Sequence, residues 1–336
     1  MDVKANYCGF FEGTEKLLEV WFGRRNETCG SASCDLRAIP RSKWEKILKL
    51  VKCEIISYKK NDHIDAYVLS ESSLFVSKNR VILKTCGSTT LLQAVKPLIY
   101  IVQDFTDFDI VLDIFYSRKN FIRPELQNKP HTSFEDETEV LDELFDGSAY
   151  CLGRMNRDCW YLYTMNPLED FIGVQVPDQT LEVLMQELDR NVMKIFTREV
   201  CSSAKEATQK SGIDRLFPGI LIDDYLFEPC GYSMNGLIKG GYYVTIHITP
   251  EPQYSYVSFE TNYPQESYLD LVAKLLKVFC PGKFIMTLFA NKLSVASNGH
   301  MLYRGCEFRG FRRKELQFSH FKNYDLAYAL FAKAPS

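Results

Sequence analysis

Alternating polar and apolar residues predict strands over much of the chain, and apolar residues at helical spacing predict helices between them. Strands are predicted at residues 53–58, 66–69, 74–77, 81–86, 108–116, 147–153, 159–164, 242–249, 254–260 and 283–290. Helices are predicted at residues 10–22, 43–51, 91–102, 139–145, 180–196 and 265–279. The polar stretches at 23–42, 117–138 and 197–215 are predicted mainly as loops, and the tail after residue 291 as loop and short strands.

Two of these helices are predicted from an apolar stripe. Leu17 and Trp21 fall on one face of the first, and Leu181, Met185 and Leu188 fall on one face of the fifth. Residues three or four positions apart lie on the same side of a helix. Both segments are therefore predicted to be amphipathic helices that bury one face.

Three carboxylates follow a second face of the first predicted helix. Glu12, Glu15 and Glu19 are spaced at i, i+3 and i+7, which places them on one side of a helix. Such a row is typical of a face turned to water. It also suits the binding of a cation, and the sequence alone leaves both interpretations open.

The order of elements is repeated along the chain. Residues 66–116 are predicted to form a hairpin, a helix and a strand, and residues 242–290 repeat this order. Antiparallel sheets with helices on one face are a stable layered arrangement. We therefore predict an α+β fold, a four-layer αββα sandwich in which two similar halves each supply one antiparallel sheet and its outer helices. The whole chain, 1–336, is expected to be a single domain.

The turn of the first hairpin is unusual. Residues 67–77 read YVLSESSLFVS, and the polar break Ser70-Glu71-Ser72-Ser73 contains no Gly, Asn, Asp or Pro, the residues that tight turns normally use. Serine forms weaker turns by bonding its own backbone, so a polar hairpin tip is one interpretation. The other is that one of the serines attacks its own preceding peptide bond.

Composition and charge exclude several classes of protein. Apolar residues make up 46% of the chain and charged residues 25%, as in ordinary globular proteins. The net charge is −3 with no basic block, so no nucleic-acid or membrane partner is expected. There is no run of 18 apolar residues and no apolar signal core near the N-terminus. The eleven cysteines contain no CxxC pair, which argues against a zinc site and for reduced thiols in a cytoplasmic protein.

His247 is a candidate base. It lies on a predicted strand and shares its face with Thr245 and Thr249, whereas apolar residues occupy the other face. A histidine flanked by hydroxyls can be an oriented general base. It can equally be a half-buried side chain that a neighbouring hydroxyl satisfies.

A serine and a cysteine are further candidates. Ser233 lies between Gly231 and Gly236 in the spacing G-x-S-x-x-G, which differs from the G-x-S-x-G nucleophile elbow of serine hydrolases. No parallel-sheet pattern supports such a hydrolase. Cys86 ends a predicted strand beside Gly87, where it could be a reactive thiol or a small apolar filler.

Seven segments together resemble the eukaryotic S-adenosylmethionine decarboxylase family. They are FFEGTEKLLEVWF at 10–22, YVLSESS at 67–73, LKTCG at 83–87, FYSRKN at 115–120, PDQTLE at 177–182, PCGYSMNG at 229–236 and IHITPEP at 246–252. They occur in the family's order over about residues 8–290. The chain departs from the family pattern at residues 1–7, at 23–35 and after 291.

The resemblance implies a proenzyme that cuts itself between Glu71 and Ser72. The products would be a β chain, 1–71, and an α chain, 72–336. The Ser72 hydroxyl would attack the Glu71 carbonyl, and elimination from the resulting ester would leave a pyruvoyl group on the α chain. Backbone strain is expected at this bond. The cofactor would be this pyruvoyl group, without a metal or pyridoxal phosphate.

The resemblance also implies roles in the reaction. The pyruvoyl group from Ser72 would form a Schiff base with S-adenosyl-L-methionine and accept electrons as carbon dioxide leaves. Cys86 resembles the proton donor, and His247 and Ser233 resemble processing residues. Glu12 and Glu15 match acidic active-site positions. The residues similar to the substrate-binding set are Phe11, Glu71, Phe227 and Glu251.

A second site is implied by six further positions, which are similar to the family's buried acidic cluster for putrescine. They are Glu19, Lys84, Asp178, Thr180, Glu182 and Glu260. A homodimer of αβ units is expected from the family. The alternative function is a catalytically weak paralogue that acts as the allosteric partner of an active decarboxylase. Such a paralogue would be expected to lack Ser72, Cys86 or His247, and all three are present.

Overall fold

The structure is a computed structural model that describes residues 10–25, 34–166 and 176–334. Within these residues the strands form two antiparallel sheets of eight strands each. Helices pack on the outer face of each sheet, and the two inner faces pack on each other. The predicted four-layer αββα sandwich is therefore confirmed. No helix of the described ranges is long and apolar enough to cross a membrane.

The first half of the chain supplies the first sheet. Its strands are β1 (Lys16–Gly23), β2 (Ile55–Lys60), β3 (Ile64–Leu69), β4 (Ser72–Ser77), β5 (Arg80–Thr85), β6 (Ile110–Lys119), β7 (Gly147–Gly153) and β8 (Cys159–Met165). They lie in the order β2-β3-β4-β5-β1-β6-β8-β7. The helices on its outer face are α1 (Arg41–Leu50), α2 (Val95–Phe105) and α3 (Phe134–Asp142).

The second half repeats this topology. Its strands are β9 (Gln179–Gln186), β10 (Leu221–Leu226), β11 (Tyr232–Ile238), β12 (Tyr242–Thr249), β13 (Tyr256–Thr261), β14 (Lys283–Asn291), β15 (Phe311–His320) and β16 (Tyr324–Lys333). Their order, β10-β11-β12-β13-β9-β14-β16-β15, matches that of the first sheet when each strand number is lowered by eight. The helices are α4 (Arg190–Met193), α5 (Ala204–Ser211), α6 (Leu269–Phe279) and α7 (Gly299–Gly305). The two halves predicted from the order of elements are confirmed.

Short 3₁₀ turns complete the described elements. They span Leu36–Ala38, Leu91–Ala94, Pro124–Leu126, Lys194–Phe196 and Ile213–Arg215. The turn at Leu91–Ala94 continues directly into α2, so the helix predicted at 91–102 begins as a 3₁₀ turn and ends three residues later than expected.

Two apolar clusters fill the space between the sheets on either side of a charged centre. One, on the side of β3, β4 and β5, includes Ile64, Phe75 and Tyr243. The other, on the side of β6 and β8, is rich in aromatic residues and includes Trp21 and Phe115. The buried charges between them have little contact with water, which strengthens their interactions with one another.

The helices predicted at residues 10–22 and 180–196 are wrong, because both segments contribute strands. β1 and β9 each occupy the fifth place in their sheet and are hydrogen-bonded on both edges. Every residue of β1 is buried, since one face meets the helices and the other meets the second sheet. A strand buried on both faces carries a nearly continuous apolar run, in which a helical spacing can arise by chance.

Other elements differ from prediction in extent. The helix predicted at 139–145 is α3, which begins at Phe134 after the Ser133 hydroxyl accepts a hydrogen bond from the Asp136 N–H at 3.0 Å. The polar stretch 197–215 contains α5. The tail after residue 291 contains α7 and two strands of ten residues each. The strands β10 and β11 are not predicted by the sequence pattern.

Candidate active site

The turn between β3 and β4 leads directly into a strained residue. Leu69 pairs with Ser72 across the turn formed by Ser70 and Glu71. Ser72 is buried and its backbone φ is 101°, a left-handed value that glycine adopts readily and serine does not. Such a conformation costs on the order of 1–3 kcal/mol. The strain expected at the Glu71–Ser72 bond is therefore present.

The hydroxyl of Ser72 donates a hydrogen bond to Oε1 of Glu15. Glu15 lies in the extended segment before β1 and is buried. Burial alone would raise its pKa, but the ammonium of Lys84, 3.6 Å from Oε2, and the hydrogen bond from Ser72 hold the pKa of Glu15 below its ordinary value. The carboxylate is ionised at neutral pH and is able to accept the hydroxyl proton.

His247 lies on β12 with partners at both ring nitrogens. Nδ1 is 2.8 Å from the hydroxyl of Ser233, and Nε2 is 2.8 Å from that of Thr245 and 3.0 Å from that of Ser73. Nε2 is also 3.7 Å from Oε1 of Glu15. Burial lowers the pKa of His247 to about 4. The ring is neutral at pH 7, as a proton acceptor must be.

An asparagine ties the strained hairpin to the opposite sheet. Oδ1 of Asn235 accepts hydrogen bonds from the hydroxyls of Ser73 at 2.7 Å and Thr245 at 3.0 Å. Its Nδ2 donates to the backbone carbonyl of Tyr67 at 3.0 Å. Asn235 is fully buried on β11 and was not singled out from the sequence. It fixes the position of β3 and β4 relative to His247.

Cys86 and Glu71 meet beside a cavity. The Cys86 thiol follows the last residue of β5 and donates to Oε2 of Glu71 at 3.6 Å. Burial raises the pKa of Cys86 well above its ordinary value, so the group is a protonated thiol at neutral pH. The cavity next to it measures about 160 Å³. Its lining residues include Phe11, Glu12 and Glu71.

The four residues predicted to bind substrate lie in two groups. Phe11 and Glu71 line the cavity, whereas Phe227 and Glu251 are not among its lining residues. Burial raises the pKa of Glu251, and its buried Oε2 has no hydrogen-bond partner in the described part of the chain. Burial, followed by Glu251, raises the pKa of the Cys230 thiol to about 11. Glu251 is therefore placed close to Cys230.

The segment before β1 connects these two groups. The ring of Phe10 packs edge-on against Tyr254 with 4.2 Å between centroids. Gly13 lies so close to Thr249 that a Cβ at this position would be 2.4 Å from the threonine Oγ1. Only glycine fits this approach. The packing brings the segment that carries Phe11 against the loop that carries Glu251.

The structure separates Glu12 from the other predicted acidic residues. Its carboxylate accepts hydrogen bonds from the Thr14 hydroxyl at 2.8 Å and from the backbone N–H groups of Ile122 and Arg123 at 3.0 and 3.2 Å. These contacts attach the polar connection after β6 to the rim of the cavity. Glu12 thus lines the cavity wall, whereas Glu15 contacts Ser72 directly.

Buried charges between the sheets form what we call the charged seam: Glu15, Glu19, Arg80, Lys84, Asp113, Asp178, Glu182 and Glu260. At one end, Nζ of Lys84 donates to Oε2 of Glu260 at 2.7 Å and lies 3.6 Å from Oε1 of Glu182. Burial alone would lower the pKa of Lys84, but the surrounding carboxylates hold it above its ordinary value. Burial raises the pKa of Glu182 to about 7. Thr180 lies two residues before Glu182 on β9.

Arg80 organises the other end of the charged seam. Its Nη1 lies 3.0 Å from Oδ1 of Asp178 and 3.5 Å from Oε1 of Glu19. Its guanidinium stacks on Trp21 at 4.5 Å, and the hydroxyl of Tyr324 donates to Oδ2 of Asp178 at 3.2 Å. Burial raises the pKa of Glu19 to about 7. Arg80 was not singled out from the sequence.

Asp113, on β6, is a further carboxylate of the charged seam that the sequence did not indicate. Its exposed fraction is 8%, and no hydrogen bond or ion pair joins its side chain to another described residue. Burial and then the charge of Asp178 raise the pKa of Asp113 to about 7. Within the described ranges, the six carboxylates of the charged seam therefore face two cations, Arg80 and Lys84. Buried carboxylates in excess favour a cationic ligand.

Comparisons with known proteins agree with the resemblance. Residues 9–332 match the model of the family described as Adenosylmethionine decarboxylase. The S-adenosylmethionine decarboxylase proenzyme of Xenopus laevis is 49% identical over 334 residues, covering 99% of this chain and 98% of that protein. That of Drosophila melanogaster is 48% identical over 340 residues, covering 97% and 96%. The crystal structure of the Trypanosoma brucei AdoMetDC-delta26 monomer matches with a TM-score of 0.61 at 25% identity, covering 78% of this chain and 99% of that one.

Proposed function

The chain belongs to the adenosylmethionine decarboxylase family, and we propose that it makes its cofactor by cutting its own Glu71–Ser72 bond. It is a carboxy-lyase that decarboxylates S-adenosylmethionine, in a pyruvoyl-dependent family. The cut would produce a β chain, 1–71, and an α chain, 72–336. The observation that carries this proposal is the left-handed backbone of Ser72 combined with its hydrogen bond to Glu15.

The first step of the cut is an exchange of an amide for an ester. The Ser72 oxygen attacks the carbonyl carbon of Glu71 while its proton passes to Glu15. The same proton then goes to the amide nitrogen as the carbon–nitrogen bond breaks, which leaves an ester between the two residues. The strain at Ser72 favours this step because the new bond releases the left-handed backbone.

The second step is an elimination, for which His247 is the base. Its neutral ring removes the α-proton of Ser72, and the ester oxygen leaves as the new C-terminal carboxylate of Glu71. The dehydroalanine that remains at residue 72 adds water and loses ammonia, which gives the pyruvoyl group. The Ser233 hydroxyl lies 2.8 Å from Nδ1 of His247 and orients the ring, so that Nε2 faces the hairpin of β3 and β4.

In the mature enzyme, the pyruvoyl ketone supplies the electron sink for decarboxylation. The residues around it bind the substrate and move one proton. Phe11 and Phe227 would stack on the adenine, and the unpaired Oε2 of Glu251 would accept hydrogen bonds from the ribose hydroxyls. Glu71 would end beside the substrate. Cys86 would donate the proton that replaces the carboxyl group, which is consistent with a pKa that keeps it a thiol.

The charged seam is proposed as a putrescine site. Its ligands would be Glu19, Lys84, Asp178, Thr180, Glu182 and Glu260, as the family resemblance implies, with Asp113 as an additional carboxylate. Groups whose pKa lies near 7 are partly protonated at neutral pH, so a diamine would replace protons. Putrescine should therefore speed processing or decarboxylation, and a titration that leaves both rates unchanged would contradict this site.

Intact-mass analysis and an activity assay test the main proposal. Purified protein should appear as two chains on a denaturing gel, and the α chain should carry the mass of a pyruvoyl group at residue 72. The purified chain alone should release labelled carbon dioxide from carboxyl-labelled S-adenosylmethionine. A whole chain without pyruvoyl would exclude the self-cutting proposal. Weak activity that rises only when a second decarboxylase is added would favour the paralogue alternative.

A homodimer of αβ units in the cytoplasm is proposed from the family resemblance. The outermost strands β7 and β15, and β2 and β10, leave sheet edges that could pair between two copies. Size-exclusion chromatography with light scattering should give twice the mass of one αβ unit. The mass of a single unit at micromolar concentration would contradict the dimer.

A further inference from the structure

Lys16, the first residue of β1, is a buried ammonium without a carboxylate partner. No part of it is exposed. Its Nζ donates to the backbone carbonyl of Gly87 at 2.9 Å and to Oε1 of Gln127 at 3.3 Å. No ion pair joins it to a carboxylate within the residues that the structure describes. A buried charge without a counter-ion is costly, and burial lowers the pKa of Lys16 to about 8.

The ammonium lies directly behind the wall of the substrate cavity. Its acceptor, Gly87, follows Cys86 in the chain, and both Gly87 and Gln127 line the cavity together with Glu71. Burial is the main influence on the Cys86 thiol and raises its pKa, whereas the charge of Lys16 acts in the opposite direction. Lys16 therefore holds the backbone next to the thiol and acts on it electrostatically.

Other charged groups nearby do not duplicate this role. The carboxylates of Glu71 and Glu15 oppose formation of a thiolate at Cys86, as does the neighbouring Cys53. Two charged groups near Lys16 have opposite effects on its pKa, which Glu137 raises and Arg118 lowers. These two groups pair with each other at 2.8 Å. Among the described residues, Lys16 is thus the cation that lowers the pKa of the thiol.

The fully buried Lys84 is already paired in the charged seam. Its Nζ lies within 3.6 Å of carboxylate oxygens of Glu15, Glu182 and Glu260. Lys52 also lines the cavity, but its side chain is exposed at the rim. Charges that are paired or exposed to water act weakly on a buried thiol.

We propose that Lys16 is the positioning residue for proton delivery, holding the Cys86–Gly87 backbone against the cavity and stabilising the thiolate that remains after the proton is transferred. This inference rests on the proposed role of Cys86 as proton donor. The thiol proton goes to the product carbon that carried the carboxyl group, and the electron pair of the S–H bond stays on sulfur. A proton from water then restores the thiol.

The first test measures how often the enzyme inactivates itself. If protonation goes instead to the carbon of the cofactor, residue 72 becomes alanine and the α chain changes mass. The variant Lys16→Met removes the charge and the hydrogen bonds, and Lys16→Gln keeps a donor for the Gly87 carbonyl without the charge. Both should reduce turnovers per inactivation, Lys16→Met by about tenfold, equivalent to one pKa unit. Unchanged turnovers per inactivation in both variants would overturn the proposal.

The second test does not require the cut. In an uncut Ser72→Ala background, the rate at which iodoacetamide alkylates Cys86 reports its thiolate fraction, and it is measured at pH 7, below the pKa of about 8 of Lys16, so that the ammonium is charged. Peptide mass spectrometry resolves Cys86 from the half-buried Cys280, which serves as an internal reference. Lys16→Met should slow alkylation of Cys86 about tenfold, since the thiol pKa rises by about one unit. An unchanged rate ratio would overturn the coupling.

Lys119→Met is the matched control. Lys119 is also buried in the first sheet, where it pairs with Asp158 at 2.9 Å. Its loss should leave the alkylation of Cys86 unchanged, and an equal slowing would show a general effect of removing a buried lysine and refute the specific role of Lys16. A separate measurement tests the role of Cys86 itself: if the Cys86→Ala variant decarboxylates at the normal rate, Cys86 is not the proton donor. Slower alkylation of Cys86 in Lys16→Met would still show that Lys16 acts on the thiol. Lys16→Gln replaces Lys16→Met if thermal unfolding shows that the latter does not fold.

Discussion

The two halves of the molecule build the same hairpin turn in different ways. In the second half, the turn between β11 and β12 contains Gly240 and Gly241, with φ values of 91° and 88°. In the first half, the turn between β3 and β4 contains no glycine, and Ser72 takes a φ of 101°. Glycine adopts such values without a steric penalty, whereas serine does not.

The surroundings of the two turns differ as well. Gly241 packs beside His63, just before β3 begins, whereas Ser72 follows the end of β3 and contacts Glu15. The turns therefore lie at opposite ends of β3. The glycine turn is relaxed and has no catalytic neighbours in the described structure, and the serine turn has strain, an acceptor and a base. The comparison shows that the two turns differ in backbone strain and in their polar neighbours although the topology is the same, and the proposed reactivity of the first turn rests on that difference.

The largest effect should come from removing the attacking hydroxyl. Ser72→Ala should leave the chain whole and without decarboxylase activity, because no ester can form. A denaturing gel, intact mass and carbon dioxide release measure both results. Ser70→Ala is the control in the same turn, since the Ser70 hydroxyl accepts a hydrogen bond from the Glu54 N–H and has no part in the proposed reaction, so this variant should still be cut. A Ser72→Ala chain that is still cut would refute the proposal that the Ser72 hydroxyl makes the attack.

The next largest effect should come from removing the base. His247→Ala should slow the elimination by about 10²- to 10⁴-fold, the usual contribution of a general base. The ester should accumulate and be cleaved at Glu71–Ser72 by hydroxylamine, which intact-mass analysis detects. Conversely, processing at the normal rate would show that the serine turn reacts without help from the opposite sheet.

The charged seam, which reaches the serine turn through Glu15, should make stability depend on pH. The folded protein holds the pKa of Glu19 and Glu182 at about 7, above the ordinary 4.5, and that of Asp113 at about 7, above 3.8. At these three carboxyl groups the folded state binds more protons than the unfolded chain between pH 5 and about 7, and they outnumber His247 and His131, whose pKa values of about 4 act in the opposite direction. The free energy of unfolding should therefore fall as pH rises through this range.

Putrescine should flatten this pH dependence, since it replaces protons as the counter-charge. Melting temperatures of the uncut Ser72→Ala protein at several pH values, with and without putrescine, measure it. Asp113→Asn should reduce the slope without putrescine and weaken putrescine binding. A slope that is flat in the absence of ligand, or unaffected by Asp113→Asn, would show that these carboxylates are already satisfied.

The smallest effect concerns the backbone alone. Ser72→Gly and Ser72→Ala should both stay uncut. Glycine relieves the left-handed conformation and should make the protein more stable than the alanine variant by about 1 kcal/mol. Gly240→Ala should lower the free energy of unfolding by about the same amount. Denaturant unfolding measures all three. Equal stability of the two Ser72 variants would mean that the turn relaxes when the hydroxyl is lost.

Sequence patterns located the hairpins well and failed for the central strands. β7 and β12 are predicted with their observed bounds, because a hairpin encodes its strands and turn locally. β1 and β9 have partners from distant parts of the chain on both edges. Their residues reflect burial on two faces, and nothing in their local pattern separates a buried strand from a helix.

The candidate site could be predicted only in part. Alternation along β12 placed His247 with Thr245, and the family motifs supplied the residues of the proposed site. Arg80 shares a strand face with Lys84 by period two, so it could have been found once β5 was assigned. Asp113 and Lys16 give no such signal. Each is buried without an ion-pair partner among the described residues, and this depends on how distant segments pack: the two sheets on each other around Asp113, and the segment that carries Gln127 against β1 around Lys16.

The position of β1 has a consequence for the cut chain. β1 would belong to the fragment 1–71, but the strands on both sides of it, β5 and β6, would belong to the fragment 72–336. The fragments are therefore interleaved, and one cannot leave the other without opening two ladders of hydrogen bonds in the middle of a sheet. Maturation would then alter covalent connectivity and leave the assembly intact, so that two polypeptides behave as a single folding unit whose pairing was completed before the bond was broken.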